Sequence, residues 1–360
     1  GTNGTASIYA WSGTHPVVID SSTVARSQSN GIRLDGAGSR AVSVVVDTTV
    51  GGAGFSTTGA GLLLQDVTVR NAATSGMILW GSGTVLDRVR IEESGGIGLQ
   101  ATGDNIASAV GVTVLDGASY GAELSLQNVF KLDQEGLKGN ARDTLLVAGG
   151  SLAGEVDEFG QVVRVDTVTI PGDFPWRITS SLGLYKAAVL RVEPGAHVTF
   201  NEGQGIGFEG QLLALGTAAA PILFRPEHRL RPWGGLQFSG EPIDTSRLAH
   251  VRIEDAGTNG TASIYAWSGT HPVVIDSSTV ARSQSNGIWL SGAGSRLMYS
   301  TVDTATATGV YLNADGAKMI GTRIRGSGSF GVGVGTNNVQ LSGCEVTGSG
   351  SDGVSVSTVT

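Results

Sequence analysis

The chain has 360 residues, of which 56 are glycine, and its charged residues make up 15%, against about 25% in ordinary soluble domains. This composition favours many short strands and tight turns. The formal net charge of -8 argues against a nucleic-acid partner, which would need a basic patch. A single cysteine, Cys344, excludes an internal disulfide framework. No run of about 18 apolar residues predicts a membrane span.

The first 40 residues of the chain form a block that occurs twice. The block 1–40 recurs at 257–296 with two changes, Arg33 to Trp289 and Asp35 to Ser291. Self-similarity at a long, fixed distance is typical of a tandem array. We therefore expect the chain to be part of a longer protein built from units of 256 residues.

A shorter period lies inside the long one and is marked by glycine followed by an apolar, a variable and an apolar residue. Four copies, spaced by 22 residues, begin at Gly287, Gly309, Gly331 and Gly353. Less regular copies begin at Gly31, Gly76, Gly96 and Gly121. A repeat this short cannot bury its apolar side chains alone, so successive copies must stack. With the usual handedness of parallel crossovers, the pattern predicts an all-β, right-handed parallel β-helix solenoid.

The regularity of the coils divides the chain into three parts. Residues 1–124 are predicted to be the C-terminal coils of one module, 125–165 a junction, and 166–360 the following module. The acidic run EVDEFG (155–160) of the junction is a calcium candidate, yet it lacks the ligand spacing of an EF-hand loop. The sequence therefore predicts no metal ion and no other cofactor.

The second module opens with the segments LRVEPGAHVTF (190–200), GQLLALGTAAAPILF (210–224) and PWGGLQF (232–238). With RLAHVRIEDAG (247–257) they resemble the opening coils of pectin-lyase-like β-helix repeat proteins of bacterial surfaces. The resemblance implies an extracellular or cell-surface location. It transfers no catalytic residue to this chain.

A basic loop in the second module is the first candidate binding surface. The segment FRPEHRLRPW (224–233) brings Arg229 and Arg231 beside Trp233. Such a group could contact an acidic glycan, and the alternative is a solvated loop over a corner of the coil.

An aromatic pair is the second candidate. Trp289 and Tyr311 occupy the same outward position in successive coils and are predicted to form an exposed stack for a sugar ring or a partner protein. The column continues to Gly333 and Ser355, which predicts a patch two residues tall. Ordinary surface variation is the alternative interpretation.

Catalytic groups are not apparent when the coils are aligned. Asp66 lies one coil from Arg88, and Glu345 lies one coil from Arg323. We therefore predict that the carboxylates on this surface form ion pairs with basic side chains. No acid pair of the glycosidase kind appears in register. Cys344 shares an inward column with serine and threonine, which indicates a core thiol.

The two histidines of the duplicated THPVV motif, His15 and His271, are predicted to be structural or solvated residues in a turn. No serine and aspartate accompany either of them in the pattern that a catalytic triad requires. They are assigned no catalytic role.

These observations favour a non-catalytic structural or adhesive segment of a large tandem-repeat extracellular or cell-surface bacterial protein. Its expected partners are adjacent modules or other copies end to end, and a glycan or cell-surface ligand. The alternative is a polysaccharide lyase or glycoside hydrolase acting on an acidic glycan, because that chemistry is common on this fold.

Overall fold

The computed structural model describes residues 6–10, 15–240, 242, 244–258, 260–269 and 271–357. It confirms an all-β parallel solenoid, with about 15 coils in total and 2% helix. The mean coil length is about 23 residues, close to the 22 expected. The chain forms two compact units, residues 1–150 and 151–360. The parts of the duplicated block at 1–5 and 11–14 lie outside the described residues.

The first unit is built from short strands and two helical turns. The elements are β1 Ala6–Ala10, β2 Val18–Asp20, β3 Thr23–Ser27, β4 Asn30–Leu34, β5 Arg40–Thr49, β6 Phe55–Thr57, β7 Leu63–Arg70, β8 Met77–Leu79, β9 Thr84–Glu92, β10 Leu99–Ala101, β11 Ile106–Val110, β12 Thr113–Leu115, β13 Ala122–Leu124, α1 Leu126–Val129, a 3-10 turn Gln134–Leu137 and β14 Leu145–Leu152. One parallel sheet has the order β11-β9-β7-β5-β2, with β12 on β9 and β3 on β5. A second parallel series runs from β1 through β4, β6, β8 and β10 to β13.

The second unit contains the remaining strands. They are β15 Glu155–Val156, β16 Val162–Arg164, β17 Asp166–Ile170, β18 Trp176–Leu184, β19 Ala188–Val192, β20 His197–Phe200, β21 Gly205–Phe208, β22 Gln211–Leu215, β23 Ile222–Pro226, β24 Gly235–Phe238, β25 Ser246–Ala249, β26 Val251–Glu254, β27 Ile264–Gly269, β28 Val273–Asp276, β29 Thr279–Ser283, β30 Ile288–Gly292, β31 Arg296–Met298, β32 Thr301–Ala305, β33 Val310–Leu312, β34 Lys318–Ile320, β35 Arg323–Ser327, β36 Val332–Val334, β37 Gln340–Ser342, β38 Glu345–Thr347 and β39 Val354–Val356.

Three parallel series form the sides of the second unit. The eight-stranded face has the order β17-β19-β22-β25-β28-β31-β34-β37. A second face runs from β20 to β38 through β23, β26, β29, β32 and β35. The third runs from β21 to β39 through β24, β27, β30, β33 and β36. The β15–β16 hairpin is antiparallel, whereas the strands along these three faces pair in parallel.

The glycine that marks each coil is required by close approach of the next coil. A Cβ atom at Gly309 would lie 2.5 Å from Ile324 Cγ2 and 2.7 Å from the carbonyl oxygen of Gly331. The equivalent atom at Gly31 would lie 2.2 Å from a methyl group of Val46. Side chains larger than hydrogen therefore force adjacent coils apart, which explains the fixed phase of glycine in the sequence.

Each coil of the regular part turns a corner at a residue with positive φ, such as Ser277 (48°) and Tyr299 (47°). The next residue points inward, and its side chain bonds the carbonyl two residues earlier, as Ser300 Oγ does to Met298 at 2.7 Å. Cys344 occupies the same position and contacts the carbonyl of Ser342. The predicted column is thereby confirmed, although the Cys344 side chain is half-buried rather than fully buried.

Candidate binding faces

The aromatic pair predicted on the third face exists and is larger than expected. Trp289 pairs with Tyr311 in register, and their ring centroids lie 4.3 Å apart at an interplanar angle of 32°. On the other side of Trp289, the ring of Tyr265 lies 5.6 Å away, edge to face. Trp267, 58% exposed, makes a second edge-to-face contact with Tyr265 at 5.3 Å. The expectation of a two-residue patch was wrong, and these four residues form what we call the aromatic strip.

The same position in the first unit carries a charged pair. Arg33 lies over the ring of Tyr9 at 5.3 Å and forms an ion pair of 2.9 Å with Asp35. The hydroxyl of Thr58 donates to Asp35 at 2.6 Å, and the carboxylate is almost completely covered, with 4% of its side chain exposed. Tyr9 is the counterpart of Tyr265 in the duplicated block, so one tyrosine supports a guanidinium in one copy and an indole in the other.

The two copies also differ in how much open space lies beside the outward column that contains Arg33 in one copy and Trp289 in the other. In the second unit the ring of Tyr311 covers Gly333 so closely that a Cβ there would lie 2.5 Å from Cδ2 of the ring. In the first unit the residue one coil after Arg33 is Ser56, and Ile78 and Trp80 follow. They line a groove of about 480 Å³, in which Trp80 is 65% exposed.

The basic loop lies against a groove of about 440 Å³ that the sequence did not predict. We call it the charged groove. Its lining residues are Arg225, Pro226, Glu227, Arg229, Arg252, Glu254, Asp255 and Arg282. Both carboxyl oxygens of Asp255 accept hydrogen bonds from Arg282 at 2.8 Å. Glu254 contacts Arg282 at 3.0 Å and also Arg252, while Glu227 contacts Arg177 at 3.1 Å.

Electrostatics in this groove favour the ionised forms of Arg282 and Glu254. The two hydrogen bonds that Arg282 donates to the Asp255 carboxylate raise the pKa of Arg282 above its ordinary range. Burial alone would raise the pKa of Glu254, but the guanidiniums of Arg252 and Arg282 outweigh it and lower that pKa. A general acid needs a raised pKa to hold a proton near neutral pH. The Glu254 carboxyl is therefore suited to holding guanidiniums in place and not to donating a proton.

The predicted basic set of Arg229, Arg231 and Trp233 is not a single surface. Arg229 lines the charged groove, and Arg231 extends to Glu202 at 3.6 Å. Trp233 is fully buried, so its assignment as a surface binding residue is corrected. Its ring stacks on Phe200 at 3.9 Å and its indole nitrogen donates to the carbonyl of Glu254, because the longer coil around this loop directs the indole into the core.

The predicted offset of acids by bases is confirmed on the solenoid surface. Arg88 contacts Asp66 at 2.6 Å, and Arg323 contacts Glu345 at 3.1 Å. Both pairs are exposed, and each joins two neighbouring coils across 22 residues.

His271 is a core residue, while its counterpart His15 is exposed. The hydroxyl of Ser246 lies 2.8 Å from Nε2 of His271, and Nδ1 lies 3.0 Å from the carbonyl oxygen of Ser239. A carbonyl only accepts, so Nδ1 carries the proton and Nε2 accepts from the serine. The third partner is a backbone carbonyl and not a carboxylate, so the arrangement fastens two coils and lacks the orienting acid of a triad.

The calcium candidate at 155–160 forms the turn of the β15–β16 hairpin. Oδ1 of Asp157 accepts hydrogen bonds from the backbone of Phe159 and Gln161, and Glu155 contacts Arg164 at 3.3 Å. Within the described ranges there is no group of three or more histidine, cysteine, aspartate or glutamate residues that could hold a metal ion. Nor is any described helix long and apolar enough to cross a membrane.

Sequence reasoning missed Tyr265 and the partners of Arg282 for one reason. Tyr265 pairs with Trp289 across 24 residues, and Arg282 contacts Asp255 across 27, so a count of 22 does not align them. Counting back 24 residues from Trp289 gives Tyr265, and counting back 22 gives Trp267. These two aromatic residues of the segment YAW (265–267) were the sequence signal for a larger aromatic surface.

The comparisons with known proteins agree with this architecture. A family model described as a right-handed β-helix region matches residues 6–154 and 253–360, which together exceed half of the chain. A search among curated proteins found no match.

Proposed function

The chain belongs to the right-handed β-helix family, and we propose that it is a non-catalytic, adhesive segment of a large tandem-repeat protein on the outside of a bacterial cell. In this role the stacked coils are a stiff scaffold, and the outward columns carry the ligand-binding side chains. The observation that carries the proposal is the exchange of one outward pair, Arg33 and Asp35, for another, Trp289 and Ser291, between two otherwise identical blocks.

The exchange is coupled, which supports a change in what the face presents. Arg33 is held by the carboxylate of Asp35 at 2.9 Å. Trp289 donates from Nε1 to the hydroxyl of Ser291 at 2.9 Å. Each pair satisfies its own polar atoms, so neither leaves an uncompensated group behind. A scaffold that varies its outer side chains while keeping its core fits an adhesive role.

The aromatic strip is the part of the scaffold best suited to a ligand. Tyrosine and tryptophan offer large apolar faces with a polar edge, and such residues dominate binding surfaces. Trp267 is exposed, and Tyr265, Trp289 and Tyr311 are half-buried on successive strands, so the rings are fixed before a ligand arrives. A rigid site loses little entropy on binding. A glycan whose sugar rings stack on aromatic side chains is the ligand that we propose for it.

A double exchange between the copies tests the proposal. In W289R/S291D the strip becomes the charged pair of the first unit, and a glycan array should show at least ~10-fold weaker capture of its ligand. The reciprocal variant R33W/D35S is the matched control and should retain capture. Thermal unfolding checks that both variants fold. Unchanged capture by W289R/S291D, or shortening of a captured polymer over time, contradicts the proposal.

The charged groove favours a second candidate, a lyase or hydrolase acting on an acidic glycan. Arg225 and Arg229 line this groove and face the same space as Glu254, whose ionised carboxylate can accept a proton, which is the general-base role that a lyase needs. The test is incubation with polyuronates, with and without calcium, followed by measurement of unsaturated products and reducing ends. Product that disappears in E254Q supports this candidate, and absence of product under all conditions removes it.

A further inference from the structure

The eight-stranded face of the second unit carries a line of basic side chains. We call Arg191, Arg247, Arg296 and Lys318 the basic column. Residues of successive strands pair in register along it, in the order Arg191, Leu213, Arg247, Val274, Arg296 and Lys318. The four cationic side chains are exposed, and Leu213 and Val274 between them are half-buried. Parallel strands lie about 4.8 Å apart, so the column is about 24 Å long.

The four cations of the basic column have no ionic partner among the residues that the structure describes. No ion pair or side-chain hydrogen bond joins any of them to another group within the described part of the chain. The nearest column of the same face contains Asp276, which accepts a hydrogen bond from Ser277, and Glu193 follows β19. In a chain of net charge -8, a line of unpaired cations is a local exception. Like charges in one column repel one another, and an anion lying across them relieves that repulsion.

We propose that the basic column binds a linear acidic polysaccharide that lies across the strands. The first five positions alternate between a cation and an aliphatic side chain. A polymer with a carboxylate on every second sugar has the same alternation, because an uncharged ring separates its charges. The aliphatic residues then contact the apolar faces of the uncharged rings. This inference rests on the proposed scaffold role and adds a second ligand surface to it.

Charge spacing favours a polysaccharide over a nucleic acid. Nucleic acids carry one phosphate per about 3.4 Å of each strand, whereas alternate strands place the arginines of the column about 10 Å apart. Single-stranded nucleic acids are also held by stacking of bases on aromatic side chains. The six positions of the column contain none, so a nucleic acid would find few of its contacts here.

The test measures binding of hyaluronan, a polymer with carboxylates on alternate sugars, to the intact chain at low salt. The variant R191Q/R247Q/R296Q/K318Q should lose about 100-fold in affinity, and its remaining binding should depend less on salt. The control R26Q/R40Q/R323Q/R325Q removes the same charge from exposed arginines elsewhere and should bind like the parent. A hyaluronan decasaccharide should compete, and a disaccharide, too short to span the column, should not. Neutral dextran should not bind.

Three results would overturn the inference: equal loss in both variants, tighter binding of a single-stranded oligodeoxynucleotide than of hyaluronan, or no binding of hyaluronan by the parent chain. Size-exclusion analysis of the polymer after incubation separates this inference from the proposed function. Shortened hyaluronan contradicts the non-catalytic scaffold, while loss of binding in the column variant still supports the basic column as the site. If hyaluronan stays intact and unbound, the basic column is not its binding site, and the aromatic strip is then tested separately by the double exchange at positions 289 and 291.

Discussion

Phe200 and Trp233 stack with ring centroids 3.9 Å apart and an interplanar angle of 10°, inside the core of the second unit. The two rings come from different coils, and Trp233 ends the basic loop (224–233), which contains Arg225 and Arg229 of the charged groove. The buried indole therefore anchors the loop from within, while Arg229 remains at the surface. The residue of this segment that stabilises the fold is therefore different from the arginine that faces the groove.

Replacing this indole tests the assignment. Trp233→Ala removes the stack and leaves the Glu254 carbonyl without its donor, so the free energy of unfolding should fall by about 3–5 kcal/mol. Denaturant titration measures the change. Trp80→Ala, at a 65% exposed position, is the control and should cost no more than ~0.5 kcal/mol. Similar costs for both variants would show that Trp233 is not a core residue.

The glycine signature gives a second prediction. Gly309→Ala places a methyl group 2.7 Å from the carbonyl oxygen of Gly331, a backbone atom that cannot yield without moving the next coil. We expect a loss of about 1–3 kcal/mol in the free energy of unfolding. Gly353→Ala adds the same atom at the same phase, where the nearest neighbour, Val346, lies 3.9 Å away. That variant should be close to neutral, and a large cost there would contradict the role of coil contact.

The buried histidine predicts a pH dependence of stability. Burial lowers the pKa of His271, so the folded state disfavours the protonated ring relative to the unfolded state, whose pKa is about 6.5. Its stabilising contribution is present above that value and is lost as the pH falls from about 6.5 towards the lower folded pKa. Unfolding measured across this range should show less pH dependence in His271→Gln. The matched control is His15→Gln, and equal effects of the two changes would rule His271 out as the source.

The Arg282–Asp255 pair predicts a cost for leaving the half-buried guanidinium of Arg282 partly unpaired. Asp255→Asn removes the charge from a side chain that is 7% exposed, and the expected loss is about 1–3 kcal/mol in the free energy of unfolding. Asp66→Asn breaks the exposed pair with Arg88 and should cost much less, because solvent screens that pair. Chemical denaturation of both variants provides the comparison. If Asp66→Asn lowers the free energy of unfolding as much as Asp255→Asn does, burial of the Asp255 carboxylate does not make its ion pair the more important one.

The coil register could be counted from the sequence wherever the turns have constant length. The 22-residue spacing of glycine, seen again in the pairing of Val310 with Val332, places Arg323 beside Glu345 and Cys344 in a column with Thr322. Those neighbours follow from arithmetic, because each coil lies directly on the last and each inward position repeats. Asp66 and Arg88 were predictable for the same reason.

Only the tertiary structure decided which residues meet where the coils lengthen. Leu213 and Arg247 pair across 34 residues, and Ile206 and Leu236 across 30, because the intervening loops vary while the strands stay in register. The sequence alone determined a right-handed stack of coils with a glycine at the close approach between most of them. The structure decided that Trp233 turns inward, that Tyr265 joins Trp289, and that the basic column is continuous, since loop length hides these pairings and backbone hydrogen bonding between coils fixes them.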